Sequence, residues 1–494
     1  MTRTIESDLT TPRTFGHHVA GRSLTGPPLQ RFAPATGVLV AEYADGSADD
    51  VDAAVRAAYA TFGSTRWQRT SAMARAELLD NLAALVAEHQ KKLAWLDAQE
   101  VGKPYRFALG DLQQGVAHVK QAAAIARTLR GESFTGISPG YSVIADRRPV
   151  GVAGLILPWN FPALIALQKL PYALAAGCAV VIKPSEFTSS SALELARLVD
   201  AAGFPPGLVN VVTGTGPVVG SALVEHPLVR YVSFTGSTAT GRSVLKAAAD
   251  SVTRVGVELG GKTANVVLAD ADLEAAAEGV VFGAFANQGE SCVASSRLLV
   301  DRRVAKEVVA AVIKRVGQLK VGLPDDPHSD LGALIHPHHV EKVVRLVDAG
   351  IAAGGELLHG GGAPGEEHLA AGAFYQPTVV GAVDAESPLF QEEVFGPVLS
   401  VTTFDDADEA IALANNTPYG LAHSLWTRDV ERAFSLSNRL EAGTVWVNTC
   451  SDGSPAIPFG GIKGSGFGRE AGPEGFNEFT EYRTVQFRTE RRQN

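Results

Sequence analysis

The feature that most constrains this chain is the alternation of short apolar runs with helical stretches. Five runs occur between residues 149 and 259, namely VGVAGLIL, AVVIK, LVNVV, VRYVSF and VTRVGVEL, with helical candidates near 163–176, 189–202, 217–225 and 238–249. Continuous Val, Ile and Leu runs are typical of strands that are buried on both faces. The alternation predicts a doubly wound parallel sheet, in which ligands bind beyond the carboxyl ends of the strands.

A second α/β pattern occupies residues 262–447. Its apolar runs are TANVVLA, SRLLV, VLSVTTF and GTVWVN, and its helical candidates lie near 272–287, 303–317, 337–353, 407–414 and 429–439. No internal repeat of fixed period is visible. The sequence therefore predicts the α/β class, with two doubly wound domains.

The first 130 residues or so read as mainly helical after a loop-rich start. Ser47 is a candidate N-cap with Asp49 and Asp50 in the first turn, where the helix dipole favours anions. A longer helix is predicted from about Ser71 to Glu100.

Two segments, 141–148 (YSVIADRR) and 481–488 (EYRTVQFR), lie outside both α/β patterns. The polar–apolar alternation in each predicts an exposed strand. Such strands need a pairing partner, or they belong to ordinary surface hairpins, and the sequence leaves both interpretations open.

Composition excludes several classes of protein. The chain has 494 residues, enough for roughly three domains. Apolar residues make up 46% and charged residues 19%, which is a globular composition. The net charge of −10 argues against a nucleic-acid-binding surface, which needs dense Lys and Arg. The uncharged stretch 149–168 contains two Gly and two Pro after its first residue, so it predicts a strand, a loop and a helix rather than a membrane span.

The three cysteines, Cys178, Cys292 and Cys450, are odd in number and widely spaced. They imply no disulfide framework and fit a reducing, cytoplasmic setting. Glu6 and Asp8 argue against a transit peptide at the N-terminus. No CxxC or HExxH pattern predicts a metal site.

One stretch, FTGSTATGRS, follows a predicted strand and opens a predicted helix, as a phosphate-binding turn does. It differs from the nucleotide-triphosphate P-loop, which needs Lys where Arg242 stands, and we see no Walker-B strand, so an NTPase is disfavoured. The GxGxxG dinucleotide fingerprint is also absent from the sequence.

Three polar residues are candidates for chemistry. Cys292 lies in the small, polar run NQGESC, where a thiol is more accessible than in a core. Glu258 ends a Val-rich strand, where a carboxylate is either functional or paired, with Lys262 as the obvious partner. Asn160 follows the first strand of the sheet, where its amide suits either an oxyanion donor or a turn.

Together these motifs resemble the aldehyde dehydrogenase superfamily. The matching stretches occur in the family's order and span about residues 33 to 487. They are APATG (33–37), EVGKP (100–104), PWNFP (158–162), KPSEFTS (183–189), FTGST (234–238), ELGGK (258–262), NQGESC (287–292), EEVFGPV (392–398), NNTPYGLA (415–422), GTVWVN (443–448) and PFGGIKGSGFGRE (458–470).

The resemblance implies an NAD-dependent oxidation of an aldehyde to a carboxylic acid. Cys292 matches the nucleophile that forms a thiohemiacetal and then a thioester, Asn160 the oxyanion donor, and Glu258 the general base for hydrolysis. Two alternatives are a CoA-acylating relative, which does not need Glu258, and a non-catalytic binding protein on the same fold, which would not need all three residues.

The resemblance also implies a set of cofactor residues. Those matching the adenosine ribose are Lys183 and Glu186, those matching the pyrophosphate are Trp159, Gly236 and Ser237, and those matching the nicotinamide ribose and ring are Glu393 and Phe395. Ser185, between the first two, is also predicted to bind the cofactor. Because Glu186 would oppose a ribose 2′-phosphate, we expect NAD to be preferred and NADP to be used more weakly.

The family's fold adds a small two-segment β unit that mediates dimer and tetramer assembly. We accordingly predict an NAD-binding domain (1–130 and 150–258), a catalytic domain (259–477) and oligomerisation segments (131–149 and 478–494). A homodimer or homotetramer is expected, with an aldehyde as the small-molecule partner and neither nucleic acid nor membrane as a partner.

The substrate pocket departs from many relatives. Where they often carry aromatic residues, this sequence has Gln168, Cys450 and Gly453, and Ser291 and Val293 beside the nucleophile are also small. Phe161 and Phe459 are the rings expected to remain. These residues predict a wide, partly polar tunnel that suits long-chain or ring-bearing aldehydes better than acetaldehyde or betaine aldehyde.

Overall fold

The computed structural model describes residues 12–137 and 139–489, so Glu6 and Asp8 lie outside the described residues. The first region contains more strands than expected. Its elements are β1 (Arg13–Phe15), β2 (His17–Val19), β3 (Arg22–Leu24), β4 (Pro28–Phe32), β5 (Leu39–Ala44), α1 (Ala48–Phe62), α2 (Thr65–Gln68), α3 (Ala72–Val101) and α4 (Tyr105–Arg127).

The prediction of a loop-rich start was therefore wrong. The strands β1 to β5 have three to six residues each, too short to produce a readable pattern. The strands β2 and β3 pair with each other, as do β4 and β5, while β1 also pairs with β5 and β2 with the distant β10. The helix predictions hold, because Ser47 forms a capping box with Asp50, and Ser71 caps α3 by accepting from the Ala74 N–H.

Residues 132–258 contain seven strands, of which five, β8 to β12, form the centre of an eight-stranded sheet. The elements of this region are β6 (Glu132–Thr135), β7 (Tyr141–Pro149), β8 (Val152–Ile156), α5 (Pro162–Ala176), β9 (Ala179–Lys183), α6 (Ser190–Ala201), β10 (Val209–Val211), a π-helical turn (Gly216–Gly220), α7 (Ser221–Glu225), β11 (Val229–Thr235), α8 (Thr238–Ser251) and β12 (Arg254–Glu258). The order is β20-β12-β11-β8-β9-β10-β2-β3, with β20 (Gly466–Phe467) from near the C-terminus.

The five predicted strands, β8 to β12, form the parallel centre of this sheet. The strands β8 and β9 are buried along their whole length, as continuous Val and Ile runs require. The uncharged stretch 149–168 is strand β8, a loop and the start of α5, as predicted. Among the described residues, no helix is long and apolar enough to cross a membrane.

The second half forms a seven-stranded sheet in the order β15-β16-β17-β14-β13-β18-β19. Its elements are β13 (Ala264–Val267), α9 (Leu273–Phe285), a 3₁₀ turn (Ala286–Gly289), β14 (Arg297–Asp301), α10 (Ala305–Val316), α11 (Pro337–Ala352), β15 (Glu356–His359), β16 (Thr378–Gly381), α12 (Pro388–Gln391), β17 (Val398–Phe404), α13 (Ala407–Asn415), β18 (Ala422–Trp426), α14 (Val430–Ser437) and β19 (Thr444–Val447). The sequence predicted four of these strands. It missed β15, β16 and β18, which are short or carry polar residues such as His423 and Ser424.

The two segments outside the α/β patterns pair with each other. After α15 (Gly472–Glu478), the strand β21 (Thr480–Arg488) runs antiparallel to β7 over its whole length, and β6 completes a three-stranded sheet. The alternative of two separate surface hairpins is wrong for β21, because its partner lies more than three hundred residues away in the sequence.

Candidate active site

A cavity of about 850 Å³ lies at the carboxyl ends of the first sheet's central strands and reaches across to the second half of the chain. Every predicted cofactor residue lines it, as do Asn160 and Cys292. These lining residues include Trp159, Asn160, Lys183, Ser185, Glu186, Gly236, Ser237, Cys292, Glu393 and Phe395. Its volume lies in the usual range for a cofactor site, so segments far apart in the sequence meet in one cofactor-sized space.

The N-terminus of α8 faces this cavity. Ser237 is its N-cap and accepts a hydrogen bond from the Thr240 N–H, while the Gly236 N–H donates to the Glu258 carbonyl. A helix N-terminus offers unpaired N–H groups and a positive dipole end. This turn can therefore receive a pyrophosphate, as the sequence predicted for FTGST.

The carboxyl end of β9 supplies an ion pair. The Lys183 Nζ lies 3.0 Å from the Glu186 Oε2, with the lysine buried and the carboxylate partly exposed. Ser185 Oγ accepts from the Phe187 N–H. Lys183 partly neutralises Glu186, so the charge that opposes a ribose 2′-phosphate is reduced but not removed.

Aromatic side chains form another part of the cavity wall. Trp159 packs edge-to-face on Phe395 at 5.3 Å between ring centroids and on His339 at 5.8 Å, and the His339 Nε2 donates to the Phe395 carbonyl at 2.6 Å. Burial lowers the pKa of His339 to about 4. The imidazole is therefore neutral near pH 7 and acts as a packing group and hydrogen-bond donor.

His339 and Lys342, both on α11, line the cavity although the sequence analysis did not select them. The π-helical turn at Gly216–Gly220 also lines the cavity. It lies in the stretch TGTGPVVG, which follows a predicted strand and comes near the dinucleotide fingerprint but has the wrong spacing, so this weak signal did not select its residues. The α11 segment carries no such pattern, and its position depends on how α11 packs across the two halves.

Glu393 projects into the same space from the second half. Its Oε1 accepts from the Gly261 N–H at 3.0 Å, and burial raises the pKa of this carboxyl. Gly261 has a second role, because a Cβ there would lie 2.2 Å from the Cys292 carbonyl oxygen. Only glycine permits this approach between the ELGGK and NQGESC segments.

Cys292 is partly exposed in the turn between α9 and β14. Burial raises the pKa of its thiol to about 12, and the carboxylates of Glu393, Glu258 and Glu470 add to the shift. The thiol is therefore protonated in this state. The three carboxylates therefore lie close enough to Cys292 to influence its sulfur electrostatically.

Asn160 is buried beside the nucleophile segment. Its Nδ2 donates to the Glu290 carbonyl at 3.0 Å, and its own carbonyl accepts from the Asn287 Nδ2 at 3.3 Å. The alternative of a mere turn residue does not account for a side chain that reaches the Cys292 segment. One amide hydrogen of Asn160 remains available for another acceptor.

Glu258 ends β12 and is only 5% exposed. Burial and the neighbouring Glu470 raise its pKa well above the usual value, while Lys169 and Arg469 act in the opposite direction. It is absent from the cavity wall, yet its charge acts on Cys292.

The alternative of a salt bridge from Glu258 to Lys262 is wrong. In the part of the chain that the structure describes, Lys262 Nζ is buried without a hydrogen-bond partner, and burial lowers its pKa to about 7. Two glycines carry Lys262 toward the second sheet. There its carbonyl accepts from Arg297 Nε at 3.0 Å.

The predicted substrate-side residues are spread over three segments. Phe161 and Gln168 are partly buried on α5 and the loop before it, and the Lys103 Nζ lies 4.0 Å from the Phe161 ring centroid. Ser291 and Val293 flank Cys292 and are also partly exposed.

The remaining residues belong to the loop after β19. Gly453 is exposed, Phe459 is partly buried and pairs through its backbone with Glu470, and the Cys450 thiol donates to the Gly279 carbonyl of α9 at 3.0 Å. None of these seven residues lines the cofactor cavity. Their assignment to a substrate pocket stays a prediction.

Comparison with known proteins decides the family. The profile of the Aldehyde dehydrogenase family matches residues 22–485. The chain belongs to the aldehyde dehydrogenase family. It is 44% identical over 457 residues to the aminoacetaldehyde dehydrogenase of Pseudomonas aeruginosa, covering 92% of this chain and 90% of that relative. It is also 40% identical to chicken aldehyde dehydrogenase 1A1, over 94% of this chain and 91% of that one.

Solved aldehyde dehydrogenases have the same fold. The NAD-dependent aldehyde dehydrogenase of Sinorhizobium meliloti superposes with a TM-score of 0.96 at 41% identity, covering 98% of this chain and 97% of that chain. The betaine aldehyde dehydrogenase of Staphylococcus aureus in complex with NAD⁺ has a TM-score of 0.95 at 33% identity, covering 97% and 95%.

These relatives confirm the predicted family, the α/β fold class and the NAD-dependent oxidation of an aldehyde to an acid. As an aldehyde dehydrogenase, the chain is an oxidoreductase that uses NAD. The NTPase alternative is thereby wrong, because the chain belongs to the aldehyde dehydrogenase family.

Proposed function

We propose that Cys292 is the nucleophile of this aldehyde dehydrogenase and that Asn160 and Glu258 serve its two half-reactions. The observation that carries the proposal is the position of Cys292 and Asn160 on the wall of the cavity lined by the cofactor residues. A thiol there can reach a carbonyl carbon that also faces the cofactor.

In the first half-reaction the Cys292 sulfur adds to the aldehyde carbon and the carbonyl oxygen takes up negative charge. The free Asn160 N–H and the Cys292 backbone N–H are the proposed donors to that oxygen. The thiol must lose its proton as the bond forms. That proton passes to solvent water, so Glu258 is needed only after hydride transfer, when its raised pKa makes the ionised carboxylate a stronger base than an exposed glutamate.

NAD, when bound, accepts the hydride that leaves the thiohemiacetal carbon. The residues proposed to hold it are those along the cavity, with Lys183, Ser185 and Glu186 on one ribose, Trp159, Gly236 and Ser237 on the pyrophosphate, and Glu393 and Phe395 on the nicotinamide side. The ionised Glu393 carboxylate is a hydrogen-bond acceptor that suits ribose hydroxyls.

The second half-reaction hydrolyses the thioester on Cys292. Glu258 takes a proton from water, the water oxygen bonds to the acyl carbon, and the C–S bond breaks to release the acid and the thiol. This assignment favours hydrolysis over transfer to CoA, because an acylating enzyme has no use for a buried base beside the thioester.

The order of roles predicts a specific defect in Glu258→Gln. Glutamine preserves the size of the side chain but cannot accept the proton of water. We expect a pre-steady-state burst of NADH close to one per active site, followed by a steady-state rate at least a hundredfold below that of wild type. Stopped-flow absorbance of NADH checks this, with NAD affinity as the control. A folded variant that binds NAD and shows no burst contradicts the proposed order.

For the substrate we propose a longer or ring-bearing aldehyde. Gln168, Cys450 and Gly453 lack the rings that would close a tunnel around a small molecule, and burying each additional CH₂ contributes about 0.8 kcal/mol. A quaternary ammonium aldehyde would also lack an aromatic cage.

A panel of aldehydes tests this proposal through kcat/KM. We expect octanal and benzaldehyde to exceed acetaldehyde and betaine aldehyde by at least tenfold. The relative from P. aeruginosa is named for aminoacetaldehyde, so that small cationic aldehyde is the most informative competitor. Equal or higher kcat/KM with acetaldehyde or aminoacetaldehyde would reject the wide-tunnel proposal without affecting the catalytic roles.

We further propose the domain limits predicted above. Residues 1–130 and 150–258, with all strands of the eight-stranded sheet except β20, would form the NAD-binding domain. Residues 259–477, with the seven-stranded sheet and β20, would form the catalytic domain that carries Cys292. The three-stranded sheet, with the segments 131–149 and 478–494, would mediate a homodimer or homotetramer. Its exposed side chains Phe134, Tyr482 and Phe487 favour an interface there. A cytoplasmic location fits the three free thiols.

A further inference from the structure

The segment that leads into Cys292 has an unusual backbone. Asn287, Gln288 and Gly289 follow one another with φ of +53°, +47° and +71°, all left-handed. Glycine adopts this region freely, asparagine occasionally, and other residues rarely. Three such residues in succession persist only where surrounding contacts hold them. The segment is buried, so those contacts come from the protein itself.

The Asn287 side chain supplies two of these contacts. Its Nδ2 donates to the Glu290 carbonyl at 2.9 Å and to the Asn160 carbonyl at 3.3 Å. The Asn160 Nδ2 donates to the same Glu290 carbonyl at 3.0 Å. Both asparagine amides therefore converge on one oxygen, and Asn287 also holds the backbone of Asn160.

The shared acceptor is itself fixed in place. The Glu290 side chain is fully buried, its Oε1 accepts from the Ile335 N–H at 2.9 Å, and its Oε2 accepts from the Gln288 Nε2 at 3.0 Å. Because both ends of Glu290 are held, its carbonyl cannot follow a movement of the Asn160 amide.

We propose that Asn287 is a positioning residue for the oxyanion hole of this enzyme. By sharing the Glu290 carbonyl with Asn160 and holding the Asn160 backbone, Asn287 determines which hydrogen of the Asn160 amide is left for the substrate oxygen. The inference rests on the proposed role of Asn160.

Asn287→Gly separates this role from simple support of the turn. Glycine adopts φ near +53° without strain and removes both donated hydrogen bonds. We expect the single-turnover rate of NADH formation to fall 10- to 50-fold. The NAD dissociation constant should change less than twofold. Alkylation of Cys292 by iodoacetamide should also change less than twofold, because that reaction displaces iodide and forms no oxyanion.

The decisive measurement is a double-mutant cycle with Asn160→Ala. If Asn287 acts through Asn160, adding Asn287→Gly to Asn160→Ala lowers the single-turnover rate less than twofold further. Multiplication of the two separate losses would overturn the proposal, and so would a wild-type rate in Asn287→Gly. A wild-type rate in Asn160→Ala would instead reject the oxyanion role of Asn160 itself.

Two further variants guard against loss of the fold. Asn287→Asp keeps the shape of the side chain and its tolerance for left-handed backbone, but it places an acceptor oxygen against two carbonyl oxygens. Its single-turnover rate should therefore fall at least as far as that of Asn287→Gly. Asn210→Ala is the matched control, because Asn210 is a buried amide whose side chain bonds, within the described part of the chain, to the backbone of Gly207 and Ala20. It should lower Tm without lowering the rate. If neither Asn287 variant binds NAD, Asn287 is a structural residue and the proposal is overturned.

Discussion

The two sides of Cys292 differ in how they are built. On the cofactor side, six of the eight predicted residues lie at or just beyond the carboxyl ends of β8, β9 and β11, Glu393 and Phe395 come from the second half of the chain, and all eight line one cavity. The acyl side is the predicted substrate pocket. Its residues are single side chains on or just before α5, in the turn that carries Cys292 and in the loop after β19, where Gly453 is exposed. A parallel sheet brings strand ends together by its topology, whereas nothing comparable gathers the acyl-side residues.

This difference has a chemical counterpart. Solved relatives share NAD as the cofactor, and the backbone N–H groups at the N-terminus of α8 suit the pyrophosphate that every such cofactor carries. The aldehyde varies, and the residues that would contact it are side chains on helices and loops, which change without disturbing the sheet. The following experiments test whether the two sides act independently.

The largest effect is expected in Cys292→Ala. Removal of the sulfur should abolish turnover to below about 10⁻⁴ of the wild-type rate, because no covalent intermediate can form. NAD binding, measured by isothermal titration, should stay within twofold, since the cavity wall is otherwise intact. Cys178→Ala, in the core of the first sheet, is the control with full activity. A steady-state rate near wild type in Cys292→Ala would contradict the catalytic assignment.

The pH dependence of thiol alkylation tests the raised pKa of Cys292, the residue that lies between the cofactor side and the acyl side. Burial and three carboxylates raise the pKa of Cys292 to about 12, so below that pH the thiolate fraction rises about tenfold per pH unit. In the absence of NAD we expect the iodoacetamide rate to keep rising from pH 7 to pH 10. An ordinary thiol would level off near pH 9. Cys292→Ala reports the background from the other two cysteines, and a plateau below pH 9 would show a less buried thiol.

The smallest effect is expected in Glu186→Gln, and only on the cofactor side. Removing the carboxylate leaves Lys183 without its ion-pair partner, so a ribose 2′-phosphate meets a positive charge instead of a neutralised pair. The preference for NAD over NADP in kcat/KM should narrow by roughly three- to tenfold. The KM for the aldehyde at saturating cofactor should stay unchanged. An altered aldehyde KM would mean that the two sides are coupled.

The sequence alone determined those features of this protein that depend on contacts between residues close together in the chain. Ser47, Ser71 and Ser237 cap their helices through groups three residues away, and β9 coincides with the run AVVIK because a strand buried on both faces must be apolar throughout. The Lys183–Glu186 pair is likewise local. Such features depend on neighbours in the chain, so the motif order sufficed for the family, the fold class and the cofactor.

The tertiary structure alone decided the contacts between distant segments. It pairs β7 with β21, brings His339 and Lys342 of α11 onto the cofactor cavity, and separates Lys262 from Glu258. It also joins Asn287 and Asn160 at the Glu290 carbonyl, although their positions in the sequence differ by 127. The physical reason is that a buried polar group must find a partner wherever the packed chain offers one. Which partner it finds depends on how the two halves of the chain pack together, and no periodic pattern in the sequence records that packing.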